Sequence, residues 1–409
     1  MDFLKVDTLK EATEKLHEAA KSFLPKTVNV SLEDVLGKVL AQDVVSVENV
    51  PSFRRSTVDG YACVSKDTAA ASESIPIFLT IKDEVQMGGI ADVAITSGEC
   101  VKIPTGGMLP QGADSVVMFE YCELFGTDSI AAYKGVGGGE NVVQIGEDIK
   151  VGQVVLPRGK KIKAHDIGAL AAIGVFNVNV FAPITLTIIS TGDELALDDK
   201  ELALGKVRDI NSYSLAALAE EKGFVVVSKI VVKDEEEAFT AAIKNAMGCS
   251  DIIAISGSTS QGDKDMSAKI INRLAEPGVL THGIAIKPGK PTILGHDSAS
   301  NTLFMGLPGH PVAAIMVFEL MVEGLRRKLT SLPKKLPIPA SLSINVPSSP
   351  GRVTLYACVL ELSEGKYTAT PLFGKSGLIS ILANATGYFL IDRDTEGLKQ
   401  GEMVFVHMF

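Results

Sequence analysis

The sequence predicts an α/β multidomain protein, with a central doubly wound α/β domain, a β-rich inserted domain and a small C-terminal β domain. Continuous apolar runs at 184–190 (ITLTIIS) and 251–256 (DIIAIS) alternate with helical patterns, as strands buried on both faces of a parallel sheet do. Between 45 and 139 the chain instead shows short β-like runs separated by turn residues. It returns to that pattern over 335–409, after Pro333, Pro337 and Pro339 mark a linker.

The opening segment MDFLKVDTLKEATEKL reads as an amphipathic helix, not a signal peptide. Helical periodicity continues to about 41, and Ser31 followed by Asp34 predicts the cap of a second helix. Residues 1–44 and 140–180 form a helical, linking subdomain around the β-rich 45–139, which carries runs at 76–82, 99–104 and 114–119 and ends near the glycine-rich 135–139. A small helix is expected at 167–173. The α/β domain spans 181–329. Its strand 184–190 leads into Thr191–Leu195, and a helix at 212–222 follows with Gly223 as its C′ residue. Strand 224–232, helix 234–247, strand 251–256 and a helix near 267–275 come next. Short strands at 292–295 and 302–305 precede a helix over 311–328. The remainder, 335–409, alternates as strands do (VTLYACVLEL, YFLIDRD, MVFVHMF).

Composition narrows the function. The chain has 409 residues, enough for more than one domain, and its 46% hydrophobic and 22% charged content is that of a globular enzyme. It has no Trp, 6% aromatics and a net charge of −10, which argues against nucleic-acid binding. The same charge repels an anionic substrate, so any anion site must be built locally from Lys, Arg, backbone N–H groups and helix N-termini. The five cysteines show no C-x-x-C spacing and suggest neither a disulfide framework nor a zinc site. No stretch is long and apolar enough for a membrane span, and a cytoplasmic location is expected.

The segment SGSTSQGDKD (256–265) follows an apolar strand and precedes a helix, where ligands of open α/β sheets bind. Gly257 and Gly262 permit close backbone approach. Ser256, Ser258, Thr259 and Ser260 supply hydroxyls, and Asp263 and Asp265 suit a hard cation such as Mg²⁺ beside phosphate oxygens. A polar turn with an Asp cap is the competing reading. In KPGKP (287–291), two prolines and a glycine fix a turn that carries Lys287 and Lys290; these serve either an oxyanion or solvent. In GLPGHPV (306–312), Pro311 fits a first helical position and N–H groups near Gly309 and His310 face a possible anion, with His310 a base, a cap or a packing residue. Asp193 and Glu194 in TGDE, like Asp209 and Asp234, stand at predicted element ends, where a carboxylate either ligates a metal or caps. Asp59-Gly60 reads as a tight turn, and Thr105 sits in a rigid glycine-rich loop.

Taken in order, PSFRRSTVDGYA (51–62), PTGGMLPQGAD (104–114), GEDI (146–149), STGDEL (190–195), SGSTSQGDKD, KPGKP and GLPGHPV resemble the molybdopterin molybdotransferase family, which includes the bacterial MoeA type and the E domain of gephyrin. The resemblance covers nearly the whole chain. It implies that 181–329 is a molybdopterin-binding α/β domain, that the chain forms a homodimer, and that it inserts molybdate into adenylated molybdopterin with release of AMP and a requirement for Mg²⁺. It further implies that Ser260, Lys287, Lys290, Arg352 and Ser376 line a molybdate site, that Asp234, Asp265 and Glu194 act in adenylate cleavage, with Asp265 and Glu194 on the metal, and that Asp59 and Thr105 face the same site. Ser256, Gly257, Gly262, Gly309 and Pro311 complete the expected substrate contacts. The chain departs from the resembled pattern at Ser258, and at Val143 and Gln144 before GEDI. Expected partners include the pathway's adenylyltransferase and molybdoenzyme apoproteins. A molybdopterin adenylyltransferase, a tungstate-inserting version of the same enzyme and a non-catalytic scaffold are the alternative functions.

Overall fold

A computed structural model describes residues 6–22, 26–196, 202–257 and 264–409. At its centre lies a six-stranded sheet in the spatial order Val225–Val232, Thr185–Thr191, Ile252–Ser256, Thr302–Leu307, Ile293–Asp297, Pro277–His282. The first four strands are parallel and the last two antiparallel to their neighbours. The sequence suggested a parallel sheet. The departure follows from chain length, because 298–301 is too short for the crossover that a parallel pair needs. The edge strand Pro277–His282 escaped the sequence reading. Its proline occupies the first strand position, where a missing N–H is tolerated.

The apolar runs behave as their lack of alternation implied. Leu186, Ile188, Ile252, Ala254, Leu303 and Met305 face one layer, packed with the helices Asn211–Glu221 and Pro311–Thr330. Ile189, Ile253, Ile255 and Phe304 face the other, with Glu236–Met247 and Lys264–Leu274. The chain enters at Thr185–Thr191, moves to one side for Val225–Val232, then to the other for Ile252–Ser256. That reversal puts a topological switch point between Thr191 and Ser256, the place where open α/β sheets bind ligands.

The N-terminal helix is Leu9–Ala19, begun by a capping box between Thr8 and Glu11. The sequence placed it in the linking subdomain. Its buried Ala12 and Leu16 instead join the α/β core beside Pro311–Thr330. The second helix expected after Ser31 is absent. Thr27–Ser31 is a strand paired with Asn177–Phe181, and Ser31 and Asp34 close a turn. The β-branched, period-two TVNVS run makes the strand, and after it the chain turns over 32–37 and bridges at Val39 and Leu40 instead of forming a helix. Val35, Leu40 and Val44 then pack with Ile149, Leu156, Ile162 and Leu170, tying the two halves of the linking subdomain together.

The β-rich domain is a six-stranded sheet, with Gly60–Cys63 between Ser115–Met118 and Glu99–Ile103. Gly60, read as part of a tight turn, opens a strand. A Cβ there would lie 2.1 Å from the Val117 carbonyl oxygen, so the glycine serves close strand approach. The C-terminal strands Ile338–Leu342, Val353–Ser363, Lys366–Pro371, Gly387–Ile391 and Met403–Met408 close into a barrel, because Gly387–Ile391 pairs with both Val353–Ser363 and Met403–Met408. Ile286–Lys287 adds in parallel to Val353–Thr354, which docks the barrel on the α/β domain beside the lysine turn.

Candidate functional site

At the switch point, Ser190, Ser256 and Leu307 share one row across adjacent strands. The chain then turns away at Thr191 and Gly257, leaving buried hydroxyls of Ser190, Thr191 and Ser256 at the strand ends. Gly257 has φ of +119°, and a Cβ there would lie 1.9 Å from the Thr191 carbonyl oxygen, so only glycine fits. The Gly309 turn packs against it, a Cβ at Gly309 falling 3.7 Å from the Gly257 Cα. Between these turns opens a cleft of about 340 Å³, lined by Ser190, Thr191, Glu194, Asp209, Asn211 and Ser256, with Gly257, Gly309, His310 and Pro311 along its other side.

Asn211 braces the cleft. Its Nδ2 donates to Ser256 Oγ at 2.6 Å and to the Gly309 carbonyl at 2.8 Å, linking two strand ends to the start of helix Asn211–Glu221. Asp209 caps that helix, its Oδ1 accepting from the Ser212 N–H at 3.1 Å and from Ser190 Oγ at 3.3 Å.

A second cavity of about 630 Å³ lies between the α/β domain and the barrel. The KPGKP turn brings Lys287 and Lys290, the barrel brings Arg352, and the 372–376 loop brings Lys375 and Ser376. No carboxylate stands among its described lining residues. In a chain of net charge −10 that is a local reversal of sign. Gly289 holds the lysine turn tightly to helix Pro311–Thr330, since a Cβ at its φ of +117° would meet Val317 Cγ2 at 2.4 Å. Lys287 Nζ donates to Ser349 Oγ at 2.8 Å. His310 lines both spaces, with its Nδ1 at 2.8 Å from Ser376 Oγ. The N–H of Val312, an early helical donor, is taken by the Ser376 carbonyl at 3.1 Å.

The structure therefore gathers Glu194, Ser256, Gly257, Gly309 and Pro311 in the cleft, and Lys287, Lys290, Arg352 and Ser376 in the adjoining cavity. Asp234 follows strand Val225–Val232 beside Asp193, whose carboxylate accepts its N–H at 3.4 Å, and lines neither space. Asp59 and Thr105 are exposed on the β-rich domain, joined by a 2.7 Å bond from the Thr105 N–H to Asp59 Oδ1, and line neither space. Ser258, Ser260, Gly262 and the Asp265 side chain lie outside the described residues. Sequence reasoning missed Asn211 and Lys375. Asn211 sits in no punctuated motif and only the packing of helix Asn211–Glu221 reveals it, whereas Lys375 stands between Gly374 and Gly377 beside the expected Ser376, a signal that could have found it.

Fold and site together define a multidomain α/β protein with a hydroxyl-lined ligand cleft at a switch point and a cationic cavity beside it. Residues 7–174 match the MoeA N-terminal region, domains I and II; residues 187–328 match the probable molybdopterin-binding domain; residues 339–409 match the MoeA C-terminal region, domain IV. The molybdopterin molybdenumtransferase of Bacillus subtilis is 32% identical over 92% of this chain and 88% of its own. That of Haemophilus influenzae is 29% identical over 98% of each. The crystal structure of the molybdopterin biosynthesis MoeA protein of Pyrococcus horikoshii superposes with a TM-score of 0.85 at 34% identity, covering 99% of both chains. The chain belongs to the MoeA family of molybdopterin biosynthesis proteins.

Proposed function

We propose that this chain is a molybdopterin molybdotransferase, inserting molybdate into adenylated molybdopterin and releasing AMP to give the molybdenum cofactor. The observation that carries this reading is the cavity with Lys287, Lys290, Arg352 and Lys375 and no carboxylate among its described lining residues, opening beside the hydroxyl cleft and sharing His310 with it. A tetrahedral dianion needs fixed cations, and an acidic protein supplies them only where the fold gathers them. Lys287 and Lys290 are held by a turn anchored at Gly289, so they orient the oxyanion with little rearrangement. The buried hydroxyls of Ser190, Thr191 and Ser256 suit the polar body of the adenylated substrate.

The cleft's donors fit Mg²⁺: Glu194 lines it together with hydroxyl oxygens, and Mg²⁺ prefers one or two carboxylates plus substrate phosphates. Glu194 and Asp265 are the residues assigned to hold it, and when bound it offsets charge on the phosphates during adenylate cleavage. Asp234 is assigned to that cleavage step with them.

Asp59 and Thr105 reach a site only if their domain serves a second copy of the chain, so the reading includes a homodimer with shared sites. No helix among the described residues is long and apolar enough to cross a membrane. We assign the chain to the cytoplasm, upstream of molybdoenzyme apoproteins and downstream of the adenylyltransferase that makes its substrate.

The test is incubation of the purified chain with adenylated molybdopterin and Mg²⁺, with and without molybdate. AMP release that rises with molybdate supports the proposal. A chain that instead makes adenylated molybdopterin from ATP and molybdopterin, with no molybdate-dependent AMP release, is an adenylyltransferase, and the proposal falls.

A further inference from the structure

The cleft holds buried polar atoms that have no hydrogen-bond partner among the described residues. They are Asn211 Oδ1, Asp209 Oδ2 and Thr191 Oγ1. Asn211 is 8% exposed and Thr191 1%. All three residues line the same cleft, and Asp209 and Asn211 flank the start of one helix. Buried polar groups are nearly always paired, so a cluster of unpaired ones in a ligand cleft indicates what the ligand must bring.

The chemistry of these atoms is directional. The Asn211 amide cannot be turned round, because the Gly309 carbonyl only accepts and therefore faces the amide nitrogen. With Nδ2 committed to Ser256 and Gly309, Oδ1 is left as a pure acceptor. Asp209 uses Oδ1 on Ser212 and Ser190, which leaves Oδ2 as a second acceptor. Thr191 Oγ1 adds a hydroxyl that adapts to either role. Two fixed acceptors, one of them a carboxylate, call for a ligand edge with two N–H donors. The aminopyrimidinone edge, a ring N–H beside an exocyclic amine, has that pattern; the adenine edge pairs its amine with an acceptor nitrogen instead.

We infer that Asp209 and Asn211, with Thr191, form a recognition element for the aminopyrimidinone edge of the pterin, so that this cleft orients the pterin end of the substrate. The inference rests on the proposed reaction and assigns specificity-determining residues within its site. Guanine carries the same donor edge, so a guanine nucleotide is the competing source of this chemistry.

The test is equilibrium binding of 6-hydroxymethylpterin to the full-length protein, read by pterin fluorescence, with GMP and AMP as competitors. Asp209→Asn keeps an oxygen for the Ser212 cap and turns the second acceptor into a donor, and Thr191→Val removes the hydroxyl with little change of shape. The expected result is a loss of pterin affinity of about tenfold or more in Asp209→Asn and a smaller loss in Thr191→Val. AMP affinity and the thermal midpoint should be unchanged. Pterin affinity equal to wild type in Asp209→Asn overturns the assignment, as does a variant that loses AMP and keeps the pterin. No saturable pterin binding by the wild type, or displacement by GMP at concentrations well below those of the pterin itself, overturns it too. Molybdate-dependent AMP release by the wild type is measured in parallel. Its absence removes the proposed reaction, whereas its presence with pterin binding untouched by Asp209→Asn removes only this assignment.

Discussion

The lysines of the KPGKP turn sit in a cavity without described carboxylates, so each contributes an uncancelled charge to an anion placed there. Lys287→Ala and Lys290→Ala should each weaken molybdate use by about ten- to a hundredfold, the loss of one charged hydrogen bond being worth roughly 1.5–3 kcal/mol. Binding of the adenylated pterin should change far less. Titration of AMP release against molybdate checks this, and an unchanged half-saturation point in both variants would make the turn structural. Gly257 is constrained by backbone alone, since a Cβ would strike the Thr191 carbonyl oxygen. Gly257→Ala should cost about 1–3 kcal/mol of stability and displace the hydroxyl row with it. A urea-unfolding midpoint equal to wild type would show that the turn relaxes freely. Asp114 carries a pH dependence. Burial pushes its carboxyl upward, but the Ser65 N–H and hydroxyl and the Ser115 hydroxyl outweigh that and hold it below the ordinary value. Because its folded-state value is depressed, its contribution to stability is complete above the ordinary aspartate range and is lost as pH falls through the lower folded value. Asp114→Asn should flatten that part of the acid-unfolding profile.

Helix Pro311–Thr330 connects the layers, packing against the N-terminal helix, helix Asn211–Glu221 and the sheet. Inside this packing, Lys222 Nζ meets Glu319 Oε1 at 2.6 Å, with side chains only 7% and 4% exposed. Removing one partner leaves a buried charge alone, so Glu319→Gln should destabilise by about 3–5 kcal/mol. The double variant Lys222→Met/Glu319→Leu should recover much of that loss. Chemical denaturation of the single and double variants checks it, and a single variant as stable as wild type would refute it. The helices and strands of the α/β domain were legible because burial on both faces writes continuous apolar runs and amphipathic helices write a stripe. The segment Thr27–Ser31 was misread because a caplike Ser31 and Asp34 outweighed a weak period-two signal in a short, partly exposed strand. The lysine turn, the switch-point glycines and Ser256 were legible as motifs. Asn211 was not, because its importance arises from contacts between segments distant in sequence, and Lys375 was passed over although it adjoins Ser376 between two glycines.

Across the molecule, the inserted β-rich domain holds Asp59 and Thr105 away from both cavities. If two copies complete each other's sites, Asp59→Asn and Asp265→Asn should each be nearly inactive. After denaturation and co-refolding, half the dimers are mixed and each regains one intact site, so about a quarter of wild-type activity should return. A mixture as inactive as its parents, with dimers confirmed by sizing, would place the whole site within one chain. The barrel's docking through Ile286–Lys287 predicts in turn that the molybdate cavity exists only in the intact chain. The most direct measurement is therefore made on full-length protein: a single-turnover reaction of adenylated molybdopterin with Mg²⁺ and molybdate, quenched and assayed for AMP and for molybdenum bound to the pterin. The expected result is one molybdenum incorporated for each AMP released, with neither product formed when molybdate is withheld. AMP released at the same rate without molybdate, or molybdenum absent from the pterin after full AMP release, would contradict insertion as the reaction of this chain.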